Sequence, residues 1–253
     1  MKMNHLLMAG VILASGLSIA SLSSEGVSAA TNSVNTTGNV TFKEDTTSVG
    51  PVDPTNPDKP VDPVNPVKPT NGPLSIDYAS SFNFGEQKIS TKDEIYYASF
   101  DKAKIHEPNT SLAQARPNWV QVTDKRGTNA GWKLQVQQGA QFSTTQNGTS
   151  KELKGAQIKI KNGTVATTTD NKATAPTASA EVTLIPGTSS QAGAAQDVMT
   201  AQSNQGMGTW VDAFGSLTTG DKSISLSVPG VSEKVKDAKY TTQLTWLLND
   251  TPA

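Results

Sequence analysis

Two short triplets constrain the fold of this chain more than any other feature: Trp132-Lys133-Leu134 in its middle and Trp246-Leu247-Leu248 close to its end. In an extended strand, residues two apart share a face, so each triplet places an indole beside an isobutyl group. Apolar residues continue the alternation at Val136 in the first segment and at Tyr240 and Leu244 in the second. This pattern is typical of half-buried strands. We therefore expect both triplets to lie in strands and to act together.

Further short segments with alternating or β-rich composition recur between glycine, asparagine and proline residues. They lie at residues 94–100, 119–123, 132–138, 156–161, 180–184, 209–214, 223–228 and 240–248. Many short strands separated by turns indicate an all-β fold, and we predict a β-sandwich. Helical periodicity is weak and is best over residues 193–202. The polar stretches 164–179 and 187–208 are expected to be long surface loops, where binding specificity usually resides.

With these residues in view, the chain resembles the WxL-domain family. The order of its segments is similar to that of the family: residues 74–78, then Phe84-Gly85, then residues 119–127 ahead of the first triplet, and residues 244–252 around the second. One departure is Leu247, which is apolar where an outward polar residue is expected. The resemblance implies a secreted protein that attaches without covalent bonds to Gram-positive cell walls. It also implies that the two triplets lie close together in the folded domain.

Four parts of the chain are distinguished by composition. Residues 1–29 have the lysine, the apolar run and the small-residue ending of a secretory signal peptide, with cleavage expected after Ala29 or Ala30. Residues 30–50 contain a candidate first strand at 39–43. Residues 51–73 carry prolines at every third position from Pro51 to Pro69, which predicts a polyproline II spacer or an exposed insertion. Those nineteen residues would span about 60 Å. Residues 74–253 are predicted to form the WxL-like β-domain.

The relation of the first strand to this domain stays open at this stage. Either residues 31–73 form a disordered lead, or the strand joins the later sheet and the proline segment is inserted between them. The resemblance favours the second arrangement, because family members commonly carry a similar proline-rich stretch after a first strand.

The attachment expected for such a chain is non-covalent. Outside the signal peptide no segment approaches the ~18 apolar residues that span a bilayer, so we expect no membrane span. The sequence contains no cysteine and shows no sortase-type Leu-Pro-x-Thr-Gly signal, so we expect neither a lipid attached through cysteine nor a sortase-made bond. The expected location is the extracellular face of a Gram-positive cell wall.

Composition argues against several classes of function. The chain has 21 basic and 22 acidic residues, a formal net charge of −1, whereas nucleic-acid binders need a basic face. Only His5 and His106 are histidines, so a histidine-based triad or a zinc site is not expected. We expect no catalytic residues, no metal and no cofactor. A carboxylate pair of the glycosidase kind would come together only in the fold, but Asp93, Glu94, Asp124, Asp170, Asp197, Asp212 and Asp221 mostly stand beside turns.

Aromatic residues are the better candidates for binding. Indole rings stack on sugar rings and donate a hydrogen bond through their N–H group. The predicted binding residues are the two triplet pairs and the two further strand tryptophans: Trp132, Leu134, Trp246, Leu248, Trp119 and Trp210. The alternative is that these side chains fill the core, since large aromatic residues dominate the packing of small β-domains.

Three functions are therefore distinguished. The leading hypothesis is a non-catalytic surface protein that binds peptidoglycan or another wall glycan. The second, which the resemblance also suggests, is a protein-interaction module that binds a membrane-anchored companion protein or a host matrix protein. The third is a wall-degrading hydrolase.

Overall fold

A computed structural model describes residues 32–107 and 112–250 of the chain. The predicted signal peptide lies outside these residues. The chain divides into two units, Met1–Val40 and Thr41–Ala253. Residues 32–40, the described part of the first unit, contain no regular secondary structure. All the strands belong to the second unit.

The described residues form strands joined by turns and one short 3-10 helix at Gly220–Lys222. The strands are β1 (Val52–Asp53), β2 (Asn56–Pro63), β3 (Leu74–Ala79), β4 (Glu94–Tyr97), β5 (Asp101–Ile105), β6 (Gln114–Arg116), β7 (Trp119–Asp124), β8 (Trp132–Gln138), β9 (Ser143–Gln146), β10 (Thr149–Glu152), β11 (Gln157–Lys161), β12 (Gly163–Thr167), β13 (Thr177–Ala178), β14 (Glu181–Thr183), β15 (Gln196–Ala201), β16 (Gly208–Phe214), β17 (Ile224–Val228) and β18 (Leu244–Asn249). The predicted all-β class is confirmed.

These strands form four four-stranded sheets and one hairpin, and every pair of neighbouring strands is antiparallel. The sheet orders are β1-β2-β5-β6, β12-β16-β7-β3, β14-β11-β17-β4 and β13-β15-β8-β18, with β9 and β10 as the hairpin. We name them the N-terminal sheet, the central sheet, the β11 sheet and the triplet sheet, respectively.

The central sheet is covered on both faces. Along β7, Trp119 contributes to a core shared with the N-terminal sheet, whereas Val120 and Val122 contribute to a larger core shared with the β11 and triplet sheets. All six residues of β7 are buried, as expected for a strand with packing on both sides. The N-terminal sheet thus adds a further layer to the two layers of the predicted sandwich.

The proline-rich segment contributes strands β1 and β2 to that additional layer, whereas a polyproline II spacer or an exposed insertion was expected. Strands β1 and β2 form a hairpin, and β2 pairs with β5. The spacing of the prolines makes this pairing feasible, because proline φ angles suit extended backbone and the residues between them keep their N–H groups. Val61 donates to the carbonyl of Pro51 at 3.0 Å, and His106 donates to that of Pro60 at 3.1 Å. Residues 64–73 form no strand.

Buried polar contacts fix the hairpin to the rest of the fold. Arg116 on β6 makes two hydrogen-bonded contacts to the carboxylate of Asp53, each at 2.9 Å, and both side chains are buried. The side chain of Gln121 on β7 accepts a hydrogen bond from the N–H of Val52 and donates to the carbonyl of Gly50. The segment is therefore part of the folded domain.

Three other local expectations differ from the structure. Residues 39–43 contain no strand, and Phe42 is exposed because no neighbouring strand covers it. The weak helical pattern at residues 193–202 is overridden by sheet pairing, and β15 occupies most of it. The stretch 164–179 is not wholly a loop, because most of β12 and all of β13 lie within it.

Candidate functional site

The two triplets lie on neighbouring strands of one sheet, as the sequence suggests. Strand β18 pairs with β8 in antiparallel register, with Leu248 opposite Leu134 and Trp246 opposite Val136. The two leucines therefore form a central cross-strand pair. Trp132 lies beyond this pair in one direction and Trp246 in the other, four residues apart in register, which is about 13 Å along the sheet. The indoles flank the leucines and do not form a shared stacking platform.

Trp132 is a core residue with a satisfied polar atom. Its side chain is fully buried, and its Nε1 donates to the carbonyl oxygen of Gly206 at 3.0 Å. Gly206 has a φ of +75°, and a Cβ at this position would lie 2.6 Å from the indole nitrogen. A turn built on glycine thus closes over the ring. Direct contact between this indole and a ligand would require the turn to open.

Trp246 is only partly buried and has a different environment. Its ring stacks on that of Phe214 in β16, with centroids 6.3 Å apart and planes inclined by 12°. Leu248 is also partly buried, and both side chains pack against the larger core. The structure therefore leaves part of the second triplet accessible, and contact of Trp246 and Leu248 with a ligand stays a prediction.

The remaining predicted binding residues are in the core. Leu134 and Trp119 are fully buried, and Trp210 is 4% exposed. Trp119 lies on the opposite side of the central sheet, 4.4 Å from the ring of Tyr78, whereas Trp210 donates from Nε1 to the carbonyl of Met207 at 3.0 Å. Trp132, Leu134, Trp119 and Trp210 thus occupy the core positions that the sequence offered as the alternative to ligand contact, because their side chains point inward from their strands.

The outer face of the triplet sheet carries polar residues that sequence reasoning did not select. The middle residues of the triplets, Lys133 and Leu247, lie on this face, opposite Asn249 and Gln135, respectively. The side chains form a continuous ladder across three strands: Asn249 donates to Gln135 at 3.0 Å, and Gln135 donates to Asp197 of β15 at 2.7 Å. The Nζ of Lys133 lies 3.4 Å from the same carboxylate. The alternation that places the tryptophans inside also places these residues outside.

One titratable group in the larger core is strongly perturbed. The carboxyl group of Asp212 on β16 is buried, and one of its oxygens has no hydrogen-bond partner among the described residues. Burial raises the pKa of Asp212 from 3.8 to about 7, and a backbone hydrogen bond at Thr164 opposes the rise. Gly163 lies directly against the group, since a Cβ at this position would be 2.9 Å from its Oδ1.

Across residues 32–107 and 112–250, no group of three or more His, Asp or Glu side chains is arranged to hold a metal ion. In that part of the chain no helix has the length and apolar character needed to cross a bilayer. His106 lies at the surface, where its Nε2 is 2.7 Å from a carboxylate oxygen of Asp62.

Comparison with known proteins identifies the family. The model of a family described as WxL domain, surface cell wall-binding, matches residues 29–252. The chain belongs to the WxL domain family, and it is accordingly a surface protein that binds the cell wall. No curated protein and no solved structure matches it.

Proposed function

We propose that this protein is a non-catalytic component of the surface of Gram-positive cells, that it is exported by its signal peptide, and that its wall ligand is peptidoglycan. The observation that carries the choice of ligand is the balance of charge. Teichoic acids and other anionic wall polymers would demand a basic surface, yet the chain has 21 basic against 22 acidic residues. Apolar contact and hydrogen bonding suit an uncharged glycan better.

The binding experiment uses the purified chain and two wall preparations. One is intact walls, and the other is sacculi freed of anionic polymers and proteins. We expect the chain to sediment with both, and to do so with little dependence on salt, because few ion pairs are formed. Retention by intact walls alone would show that the ligand is a wall polymer or protein and would refute the peptidoglycan proposal.

The non-catalytic role has its own measurement. Incubation of the chain with isolated sacculi should leave their turbidity unchanged over hours, with lysozyme as the positive control. A fall in turbidity on addition of the purified chain would establish hydrolysis and refute the proposal.

A second candidate is binding to a membrane-anchored companion protein, and an edge strand favours it. Among the described residues β4 is the last strand of the β11 sheet, and its outward Ile95 and Tyr97 are 59% and 44% exposed. An exposed edge with apolar side chains is a common site for adding a strand from another protein. If lysozyme treatment of cells leaves the chain attached while mild surface proteolysis releases it, and Ile95→Lys weakens attachment, the companion is the partner.

A further inference from the structure

We propose that the outer face of the triplet sheet is the surface that contacts the glycan, with the side-chain ladder Asn249–Gln135–Asp197–Lys133 as its centre and Leu247 as its apolar contact. This inference rests on the proposed function and assigns it to particular residues. In this assignment the tryptophan and the final leucine of each triplet pack against the core and stabilise the strands, and the middle residue of each triplet contacts the ligand.

The ladder is rigid before any ligand arrives. Gln135 and Lys133 lie on β8, which has a strand on each side in the sheet. They alternate with Trp132, Leu134 and Val136, all of which are fully buried. A side chain that is already fixed loses little conformational freedom on binding, so its hydrogen bonds contribute more to affinity.

The chemistry of the face fits an uncharged, N-acetylated glycan. Lys133 and Asp197 are close enough for their charges to offset each other, which leaves no net charge at the centre to attract a polyanion. Each ladder hydrogen bond uses one N–H of an amide, so Gln135 and Asn249 each have a second N–H for hydroxyl or acetamido oxygens. Leu247, paired with Gln135, offers an apolar contact for the C–H face of a sugar ring.

The dimensions of the face also fit a polymer. From Lys133 to Gln137 the outward positions extend about 13 Å along β8, and the three strands β15, β8 and β18 extend about 10 Å across. Gln137 and Thr245 form the next outward pair along the sheet. The surface is long enough to contact more than one sugar ring of a chain that passes over it.

The outward face of the β11 sheet provides a matched control. Gln157 on β11 is a glutamine at an outward position of an interior strand and is partly buried, like Gln135. Its neighbours form a different pattern, in which Lys159 and Glu181 make an exposed ion pair. Gln157→Ala therefore tests whether any outward glutamine matters, or only the one in the ladder.

The experiment measures binding of the full chain to stripped sacculi and to soluble oligomers of N-acetylglucosamine. The variants are Gln135→Ala with Asn249→Ala, Leu247→Thr, and the control Gln157→Ala, each checked for unchanged thermal unfolding. We expect the double variant to bind about tenfold or more weakly, Leu247→Thr to bind more weakly, and the control to bind like the parent.

Each other outcome decides a separate question. A folded double variant that binds as well as the parent, or a control that loses as much affinity as the double variant, overturns the assignment of this face. If the double variant does not fold, the near-isosteric pair Gln135→Glu and Asn249→Asp is used, and undiminished binding by it overturns the assignment. If the parent chain does not bind stripped sacculi, the proposed function itself is refuted, whatever binding the variants show.

Discussion

We predict that Asp212 makes the stability of this domain depend on pH. Its pKa is about 7 in the folded chain and 3.8 for an ordinary aspartate, so between these values the folded state binds a proton that the unfolded state releases. The free energy of unfolding therefore falls as the pH rises from about 4 to about 7 and then levels off. At about 1.4 kcal/mol per pH unit, the difference between 3.8 and about 7 corresponds to about 4 kcal/mol.

The substitution Asp212→Asn isolates this contribution. Asparagine has nearly the same shape and no charge, so the variant avoids the cost of ionising a buried carboxyl group. We expect its free energy of unfolding, relative to the parent, to increase by about 4 kcal/mol between pH 4 and pH 8. Urea denaturation at intervals of half a pH unit measures both proteins, and their difference cancels the contributions of other groups, including Asp77, whose pKa is also raised by burial.

Asp170→Asn is the control for this experiment. Asp170 is exposed, and a hydrogen bond from Thr168 lowers its pKa, so its contribution to stability is lost only as the pH falls below the ordinary aspartate range. The difference between this variant and the parent should stay flat from pH 5 to pH 8. A difference for Asp212→Asn that is equally flat would refute the reasoning, because it would mean that the folded chain ionises Asp212 without cost.

Three further predictions concern stability. Arg116→Ala should lower the free energy of unfolding by about 3–5 kcal/mol in urea titrations, because it leaves the carboxylate of Asp53 buried without its ionic partner. Breaking the exposed ion pair with Lys159→Ala should lower it by less than about 1 kcal/mol. Equal losses for the two variants would contradict this account. Trp132→Ala should cost about 3–5 kcal/mol and more than Trp246→Ala does, because only Trp132 is fully buried; a larger loss for Trp246 would count against the described packing. Gly206→Ala should lower the midpoint temperature of thermal unfolding, because the new Cβ is strained at positive φ and collides with the indole of Trp132. An unchanged midpoint would show that the turn can shift without cost.

Alternation explains why much of the fold could be predicted from the sequence. Strands with one face in the core and one in solvent, such as β8 and β17, show period-two patterns that identify them directly. The family resemblance implied that the two triplets lie close together, and the structure adds that their strands pair antiparallel. The hairpin of the proline-rich segment was not predictable, because its pairing depends on β5 and on the buried contact between Arg116 and Asp53, both remote in sequence.

Most of the binding residues predicted from the sequence point into the core, and the alternative that they fill it describes their place in the structure. Large aromatic residues are plausible sugar-stacking groups. Burying an indole, however, stabilises the fold far more than leaving it in solvent, so Trp132 and Trp119 lie in the core. The outward residues of the same strand, Lys133 and Gln135, are common in any solvated strand. Only the register of β8 against β15 and β18 reveals that their side chains connect into a ladder.

The pairing of β8 with β18 also determines when this surface can exist. Gln135 and Asn249, which hydrogen-bond to each other, are 114 residues apart in the chain. Contacts of such long sequence separation form late and slowly, because the loop between them must first be closed. A growing polypeptide cannot assemble this sheet until β18 has been synthesised, so the outer face of the triplet sheet forms only after that strand is available.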